Sequence, residues 1–342
     1  MKYKISMLIM MICSWFVFLQ PTNAQARSGD QTQPHSFSVR AILPDNQINN
    51  KETFYDLKVT PDAQQDLKLA VINLGTKTTK VTVAVNDAYT SNNGIISYDR
   101  SNVKLYKANQ PSLSSLIVGK HSKKVILKPQ ETKVVSFTYK APKNPFSGII
   151  LGGVSATANA GESTNSNFAI QNRVQYVTGI VLRSKPDEAV TPNVTMSKDV
   201  VARSRNMQKG IGFELRNSAP INVSGMKLRA TFIHNGKKTV KKMDNLQMAP
   251  NSIWHVLLPF DKLPAGSYKL TLVINAKNGY SKTFVRHFTI TQKQATKVEK
   301  STQPKRPHRF LPWLFIFGIL IVLAVVLYLL WIYMRGQNQH RR

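Results

Sequence analysis

The sequence is poor in cysteine and in acidic side chains. Its single cysteine, Cys13, lies in an apolar N-terminal run that we predict to be removed, so the mature chain has no thiol for catalysis, zinc binding or disulfides. Only 17 Asp and Glu stand against 47 Lys and Arg, a formal net charge of +30. Such a charge attracts anionic partners, for example wall polymers that bear phosphate or carboxylate, anionic lipids and acidic proteins; a solvated basic surface without a specific ligand is the alternative.

Enzyme motifs are missing as well. The sequence contains no G-x-S-x-G, no H-E-x-x-H, no P-loop and no G-x-G-x-x-G that opens a helix. The histidines are scattered without metal-ligand spacing, and the acidic residues between positions 45 and 66 alternate with lysines or lie in a turn. We therefore predict no catalytic residue, no cofactor and no metal. A wall hydrolase built on scattered carboxylates is the competing hypothesis.

The N-terminus has the pattern of a secretory signal. Lys2 and Lys4 precede an apolar run at 5–19, and Ala24-Gln25-Ala26 offers small residues where a signal peptidase cleaves. We predict a signal peptide over residues 1–26. An exported chain without cysteines, in place of the disulfides common in small secreted domains, favours the surface of a Gram-positive bacterium. Export, and the lack of a nucleic-acid-binding motif, argue against nucleic acid as a partner.

A run of 25 uncharged residues occupies positions 310–334. As a helix it would be about 37 Å long, enough to cross a hydrocarbon core of about 30 Å. The arginines of the tail 335–342 agree with a cytoplasmic C-terminus, although the basic cluster at 305–309 opposes it, and the signal peptide decides between the two. We predict a single-pass type I protein of the cell membrane, with its ectodomain facing the wall.

We predict that the exported part is all-β and forms two tandem immunoglobulin-like sandwiches, at 37–157 and 168–292. Short alternating runs such as 67–71, 81–85 and 226–233 are separated by turn residues, including the Asn-Gly pair at 235–236. The small and polar segment 158–167 predicts a loop or hinge. The basic segment 293–309, with two prolines, predicts a disordered stalk before the anchor.

Two segments are candidates for binding. The first is an apolar strand with three glycines, whose missing side chains would let a ligand or another backbone approach closely; a bulge or tight packing near the domain junction is the alternative. The second is the loop 245–252, where the alternative is a turn before a core strand. The candidate residues are Phe146, Gly148, Gly152, Gly153, Met248, Pro250 and Asn251.

The same segments carry a family resemblance. In the first half, ILPDNQI at 42–48, YDLKV at 55–59 and FSGIILGG at 146–153 resemble the N-terminal domain of the WxL-interacting proteins of Gram-positive bacteria. In the second half, YVTGIVL at 176–182, PNV at 192–194 and MAPNS at 248–252 resemble the second domain of that family. The similarity extends over nearly all of residues 37–340, with the motifs in the same order.

The resemblance implies a first domain that binds peptidoglycan and a second that binds a host factor, beside surface proteins that carry WxL domains. It implies no enzymatic activity. We therefore predict a non-catalytic, membrane-anchored surface protein that takes part in wall-associated complexes and in host or matrix adhesion. Its expected partners are peptidoglycan or anionic wall polymers, WxL-domain proteins and host extracellular-matrix proteins. An assembly chaperone that offers strand edges to exported proteins is the alternative.

Overall fold

The computed structural model describes residues 37–159, 173–277, 279–302 and 310–339, and over these ranges the chain is mostly β. Two separate cores of buried apolar side chains define two sandwiches, as the alternating runs predict. The predicted signal peptide at 1–26 lies outside the described residues, as do residues 160–172, which include most of the predicted loop 158–167, and the last three residues of the tail.

The first sandwich packs a three-stranded sheet, β1-β3-β8, against a five-stranded sheet, β2-β10-β9-β4-β7. Its strands form because apolar side chains recur at every second position: Leu67, Leu69 and Val71 on β3 belong to the core, whereas Lys68 is exposed on the opposite side. Its elements are β1 Phe37–Ile42, β2 Tyr55–Lys58, β3 Gln64–Asn73, β4 Thr79–Asp87, β5 Tyr89–Thr90, β6 Ile96–Ser97, α1 Leu113–Leu116, β7 Ser122–Leu127, β8 Thr132–Lys140, β9 Ile150–Asn159 and β10 Arg173–Arg183.

The second sandwich packs a sheet in which β13 pairs with β11, β12 and β16 against the sheet β15-β14-β17-β18. Trp254 on β16 is the largest fully buried side chain. The elements are β11 Val194–Met196, β12 Val201–Arg205, β13 Gln208–Asn217, β14 Val223–His234, β15 Lys237–Met248, β16 Ser252–Pro259, β17 Gly266–Asn275, β18 Ser281–Ile290, α2 Gln292–Thr302 and α3 Phe310–Gln339.

Strand β10 belongs to the first sandwich, although the sequence places it at the start of the second. It pairs antiparallel with β9 from Arg173 opposite Asn159 to Leu182 opposite Ile150, and parallel with β2. Ile180 and Leu182 are buried in the first core. Ala158 and Asn159 of the predicted loop are therefore the end of β9, and the chain passes to the second sandwich after Arg183.

The first part of the predicted stalk is a helix rather than a disordered segment. Helix α2 begins with a capping box, in which the Gln294 amide donates to Thr291 Oγ1 at 3.2 Å and the Thr291 amide to Gln294 Oε1 at 2.9 Å. Val298 is buried in the helix, Ala295 packs against the second core, and Glu299 pairs with Lys209. Residues 303–309 of the predicted stalk lie outside the described residues.

Helix α3 continues from the predicted anchor into the predicted tail. Its side chains are described over 316–332 and at Arg335. Among the described residues no helix is both long and apolar enough to cross a membrane. The anchor at 310–334 stays a prediction.

Candidate functional site

A groove lies beside β10 of the five-stranded sheet, mainly on the side away from the first core, and it reaches β1. Its floor includes Gly179 of β10 and Leu151 of β9. Val177, with 42% of its surface exposed, lies two residues before Gly179 on the same side of β10. Gly179 stands opposite Gly153 in the strand register, and Gly153 is buried beneath the Tyr98 ring. Because Gly179 has no side chain, the backbone is bare and the floor is flat at this point.

Two aromatic rings stand over the glycines. A Cβ atom added at Gly153 would lie 3.0 Å from the Tyr98 ring, whereas one added at Gly179 would meet Phe54 only at 3.8 Å. The space that these rings border has a volume of about 1390 Å³. We call it the outer groove, and define it by Phe54, Tyr98, Leu151, Val177 and Gly179.

Charged pairs and hydroxyl groups line the rest of the outer groove. Arg183 Nε donates to Asp56 Oδ1 at 2.7 Å, and Tyr89 Oη donates to Asp99 Oδ1 at 2.6 Å. Burial raises the pKa of the Tyr98 phenol, and burial together with the bond to Asp99 raises that of Tyr89, so both phenols are neutral at physiological pH. Ser91 Oγ has no hydrogen-bond partner among the described residues.

The chemistry of the outer groove is that of binding. Rings with an apolar face and a polar tip can pack against a ligand, while phenols and charged pairs at the margin can hydrogen-bond to it. Among the described residues, no group of three or more His, Cys, Asp or Glu side chains is arranged to hold a metal ion.

One wall of the outer groove is fixed by the second sandwich. The hairpin β5–β6, residues 89–97, leaves the first sandwich and lies against β15 and β16. Trp254 Nε1 donates to Asn92 O at 3.0 Å, and the Gln247 amide donates to Gly94 O at 2.7 Å. We call residues 89–97 the junction hairpin. Because Gln247 also lines the outer groove, the groove is complete only while the two sandwiches stay together.

Buried hydroxyl groups strengthen the same contact. Thr90 Oγ1 lies 2.6 Å from Ser252 Oγ and accepts a hydrogen bond from the Ala249 amide at 3.0 Å. Thr90 and Ser252 are both buried, and separation of the sandwiches would leave Thr90 Oγ1 without these partners, whereas Ser252 Oγ would keep its hydrogen bond to Ala249 O at 2.7 Å.

A second set of contacts joins the sandwiches beside the junction hairpin. The Ile149 amide donates to Pro220 O at 2.8 Å, and the Tyr106 amide donates to Asn251 O at 2.6 Å. A Cβ atom added at Gly148 would lie 2.2 Å from Pro220 O, which leaves room for glycine alone. Asn251 Nδ2 also donates to Ser218 O at 3.0 Å within its own sandwich.

The candidate residues from the sequence are all buried. Gly148, Pro250 and Asn251 meet at the contact between the sandwiches, where the last two line a small cavity together with Ile149. Gly153 is buried beneath the Tyr98 ring beside the outer groove, and Gly152 faces Leu113 and the Asn86 carbonyl. The remaining two, Phe146 and Met248, belong to the first and second cores. Other parts of the chain approach these glycines closely, as the sequence predicts, and each described contact is with another residue of this protein.

Sequence reasoning did not find most of the outer groove. Phe54 and Tyr98 lie in irregular segments with no periodic pattern, and Gly179 is a single glycine in an apolar strand. That glycine was the available signal, since glycine inside a strand often marks a close approach. The sequence Asn92-Asn93-Gly94 is typical of a turn, but nothing in it indicates contact with a tryptophan 162 residues away.

Two family models match the sequence. The peptidoglycan binding domain of the WxL Interacting Protein matches residues 37–158, and the host binding domain of the same protein matches residues 165–300. A search of the curated proteins finds no match.

Among solved structures, fimbrial chaperones are similar to this chain. The class 5 fimbriae chaperone CfaA is 12% identical with a TM-score of 0.29, over 73% of this chain and 99% of that one. The E. coli chaperone DraB is 15% identical with a TM-score of 0.29, over 73% and 95% of the two chains. The Pseudomonas aeruginosa chaperone CupB2 is 14% identical with a TM-score of 0.26, over 67% and 95%.

Proposed function

We propose that the outer groove is where peptidoglycan binds. The premise is that this chain belongs to the WxL-interacting protein family and has its peptidoglycan-binding and host-binding domains. The observation that carries the proposal is the bare backbone at Gly179, which Phe54 and Tyr98 border. A flat floor between rings suits the apolar face of a sugar, and the phenols and charged pairs at the margin suit its hydroxyl and amide groups.

A substitution at Gly179 tests the groove without altering the net charge. Glutamine can be placed there because a Cβ atom has its nearest neighbour, Phe54, at 3.8 Å, and the side chain would occupy the floor. For residues 37–302 bearing Gly179→Gln, we expect retention on purified peptidoglycan to fall about tenfold, as when the centre of an interface is blocked. The peptidoglycan should be stripped of its phosphate polymers, so that charge attraction is small.

Val134→Gln is the matched control. Val134 is exposed on β8 and does not line the outer groove, and the change also places a neutral amide on a strand. Control and unmodified protein should be retained equally at about 0.3 M salt, where attraction between exposed charges is largely screened. Equal retention of Gly179→Gln and the control would show that the groove does not bind peptidoglycan.

We further propose that Gly148, Pro250 and Asn251 act by holding the two domains together. Their contacts with the opposite sandwich support this role. As ligand-binding residues they stay a prediction, since each is buried in the joined arrangement. Both family models name binding domains, which supports a non-catalytic surface protein. A clearing zone produced by the purified protein on wall substrate would contradict that conclusion.

We also propose that α3 anchors the protein in the membrane as a base for complexes with WxL-domain proteins and host matrix proteins. The uncharged run at 310–334 supports this, as do the apolar side chains from Ile316 to Ile332, which are exposed on all sides of the helix. The full chain should sediment with membranes and carry a WxL-domain protein with it. A chain that ends at Thr302 should be released, and its retention in the membrane fraction would contradict the anchor.

A further inference from the structure

The sheet β15-β14-β17-β18 of the second sandwich turns one side away from the core. Its four strands contain nine Lys or Arg and a single acidic residue, Asp244. Along each strand the residues alternate between the core and this outer side. The outer side exposes five cations, which define the outer basic face: Lys227, Arg229, Lys238, Lys242 and Lys269.

The strand register arranges these cations in two bands. Arg229 stands opposite Lys242, with Lys227 two residues further along β14, and Ile233 stands between Lys238 and Lys269. A row of small and aliphatic side chains separates the bands, because Thr231 faces Val240 on one side and Thr271 on the other, and Thr271 faces Val285. His287, opposite Lys269, extends the second band to the sheet edge.

None of the five cations has a partner among the described residues: no ion pair or side-chain hydrogen bond involves them. Two cations of the same sheet that point the other way are used by the fold. Lys241 Nζ lies 5.1 Å from the centroid of the Phe260 ring, and Arg286 donates to Met196 O and Ser197 O. The outer basic face therefore holds five positive charges of this sheet that the fold does not use.

The side chains of the outer basic face indicate the kind of anion. The Phe and Tyr residues on these four strands, Phe232, Tyr268, Phe284 and Phe288, belong to the second core or pack against it, so no such ring is available for stacking on a sugar. Threonine hydroxyls and aliphatic groups between cations suit an acyclic chain of alcohols and anions. This composition differs from that of the outer groove, where rings dominate.

The spacing of the cations also favours an acyclic chain of alcohols and anions. Lys227 and Arg229 lie two residues apart on one side of β14, which is about 6.8 Å along a strand. A polymer of three-carbon polyols joined by phosphates repeats every six backbone bonds, about 7 Å when extended, since a peptide residue of three bonds spans about 3.5 Å. Successive phosphates could thus meet successive cations.

We propose that the outer basic face binds a linear polyol-phosphate polymer of the cell wall. The proposal rests on the surface location inferred above for this family but not on the outer groove. Peptidoglycan would then be held by the first domain and the phosphate polymer by the second, through two surfaces with different chemistry.

The test uses the full chain in detergent micelles and purified poly(glycerol phosphate) at about 0.15 M salt. The variant combines Lys227→Gln, Arg229→Gln and Lys242→Gln. The control combines Lys77→Gln, Lys80→Gln and Lys143→Gln on exposed sites of the first sandwich, so both lose three charges. We expect the dissociation constant to rise at least about fivefold for the variant, in line with the modest worth of each exposed charge, and to change less than twofold for the control.

Thermal unfolding of both proteins checks that the sandwiches remain folded. An equal rise of the dissociation constant in variant and control would show that only net charge matters. An unchanged dissociation constant in the variant would show that the outer basic face does not bind the polymer. Binding of a sulfated glycosaminoglycan in place of poly(glycerol phosphate) would overturn the choice of polymer. Since stripped peptidoglycan carries no such polymer, failure of this test and failure of the Gly179→Gln test are read separately.

Discussion

Trp254→Ala is expected to lower the free energy of unfolding of the second sandwich by about 3–5 kcal/mol, the usual cost of deleting a large buried aromatic side chain. Trp254 is fully buried in the second core and also donates to Asn92 O of the junction hairpin. The variant should therefore lose stability and loosen the contact between the sandwiches together. Urea unfolding followed by circular dichroism measures the first effect, and hydrogen exchange at the Gln247 amide measures the second.

Trp254→Phe separates the two roles. Phenylalanine keeps most of the apolar volume but cannot donate to Asn92 O, so a loss of about 1 kcal/mol is expected together with faster exchange of the Gln247 amide. If Trp254→Ala left that exchange rate unchanged, the junction hairpin would not depend on the indole.

Gly148→Ala is expected to push the two sandwiches apart. Gly148 has a φ of +75°, and a Cβ atom there would lie 2.2 Å from Pro220 O, a backbone atom that cannot rotate away. The hydrogen bond from the Ile149 amide to Pro220 O should break. We expect the Ile149 amide to exchange at least about tenfold faster, and small-angle scattering of residues 37–302 to give a larger radius of gyration.

Gly119→Ala controls for backbone strain. Gly119 has a φ of +84° and no heavy atom within 4 Å of an added Cβ, so this change carries the left-handed strain of about 1–2 kcal/mol without a clash. Both variants should lose similar stability within the first sandwich, but only Gly148→Ala should alter the Ile149 amide. The same exchange rate in both variants would show that the approach to Pro220 does not hold the domains.

The strands with a buried side were predictable because their alternation is a local property. The alternation of apolar residues predicts which side of the strand is buried, as at Leu67, Leu69 and Val71 on β3. The same holds for Leu270, Leu272 and Ile274 on β17. Strand β15 shows the limit of this reasoning. Most of its residues are exposed, and it begins with Lys237 and Lys238, so pairing with β14 alone makes it a strand.

Features that depend on distant partners were not predictable. The membership of β10 in the first sandwich follows from pairing with β9 and with β2, and the latter lies more than 100 residues earlier. Helix α2 had a local signal in Thr291 and Gln294, but its basic composition favoured a disordered segment. The binding candidates were found as unusual segments, while their contacts with Pro220 and Tyr106 required the assembled fold.

The docking of α2 on the second sandwich shortens the tether to the proposed anchor. The predicted stalk of seventeen residues could extend about 60 Å, whereas the seven residues 303–309 that remain between α2 and α3 span at most about 25 Å. The second sandwich would then sample a thin shell above the bilayer. Its local concentration for partners held at the membrane rises as that shell shrinks, and a host surface beyond the wall comes within reach only through a second protein that crosses the wall.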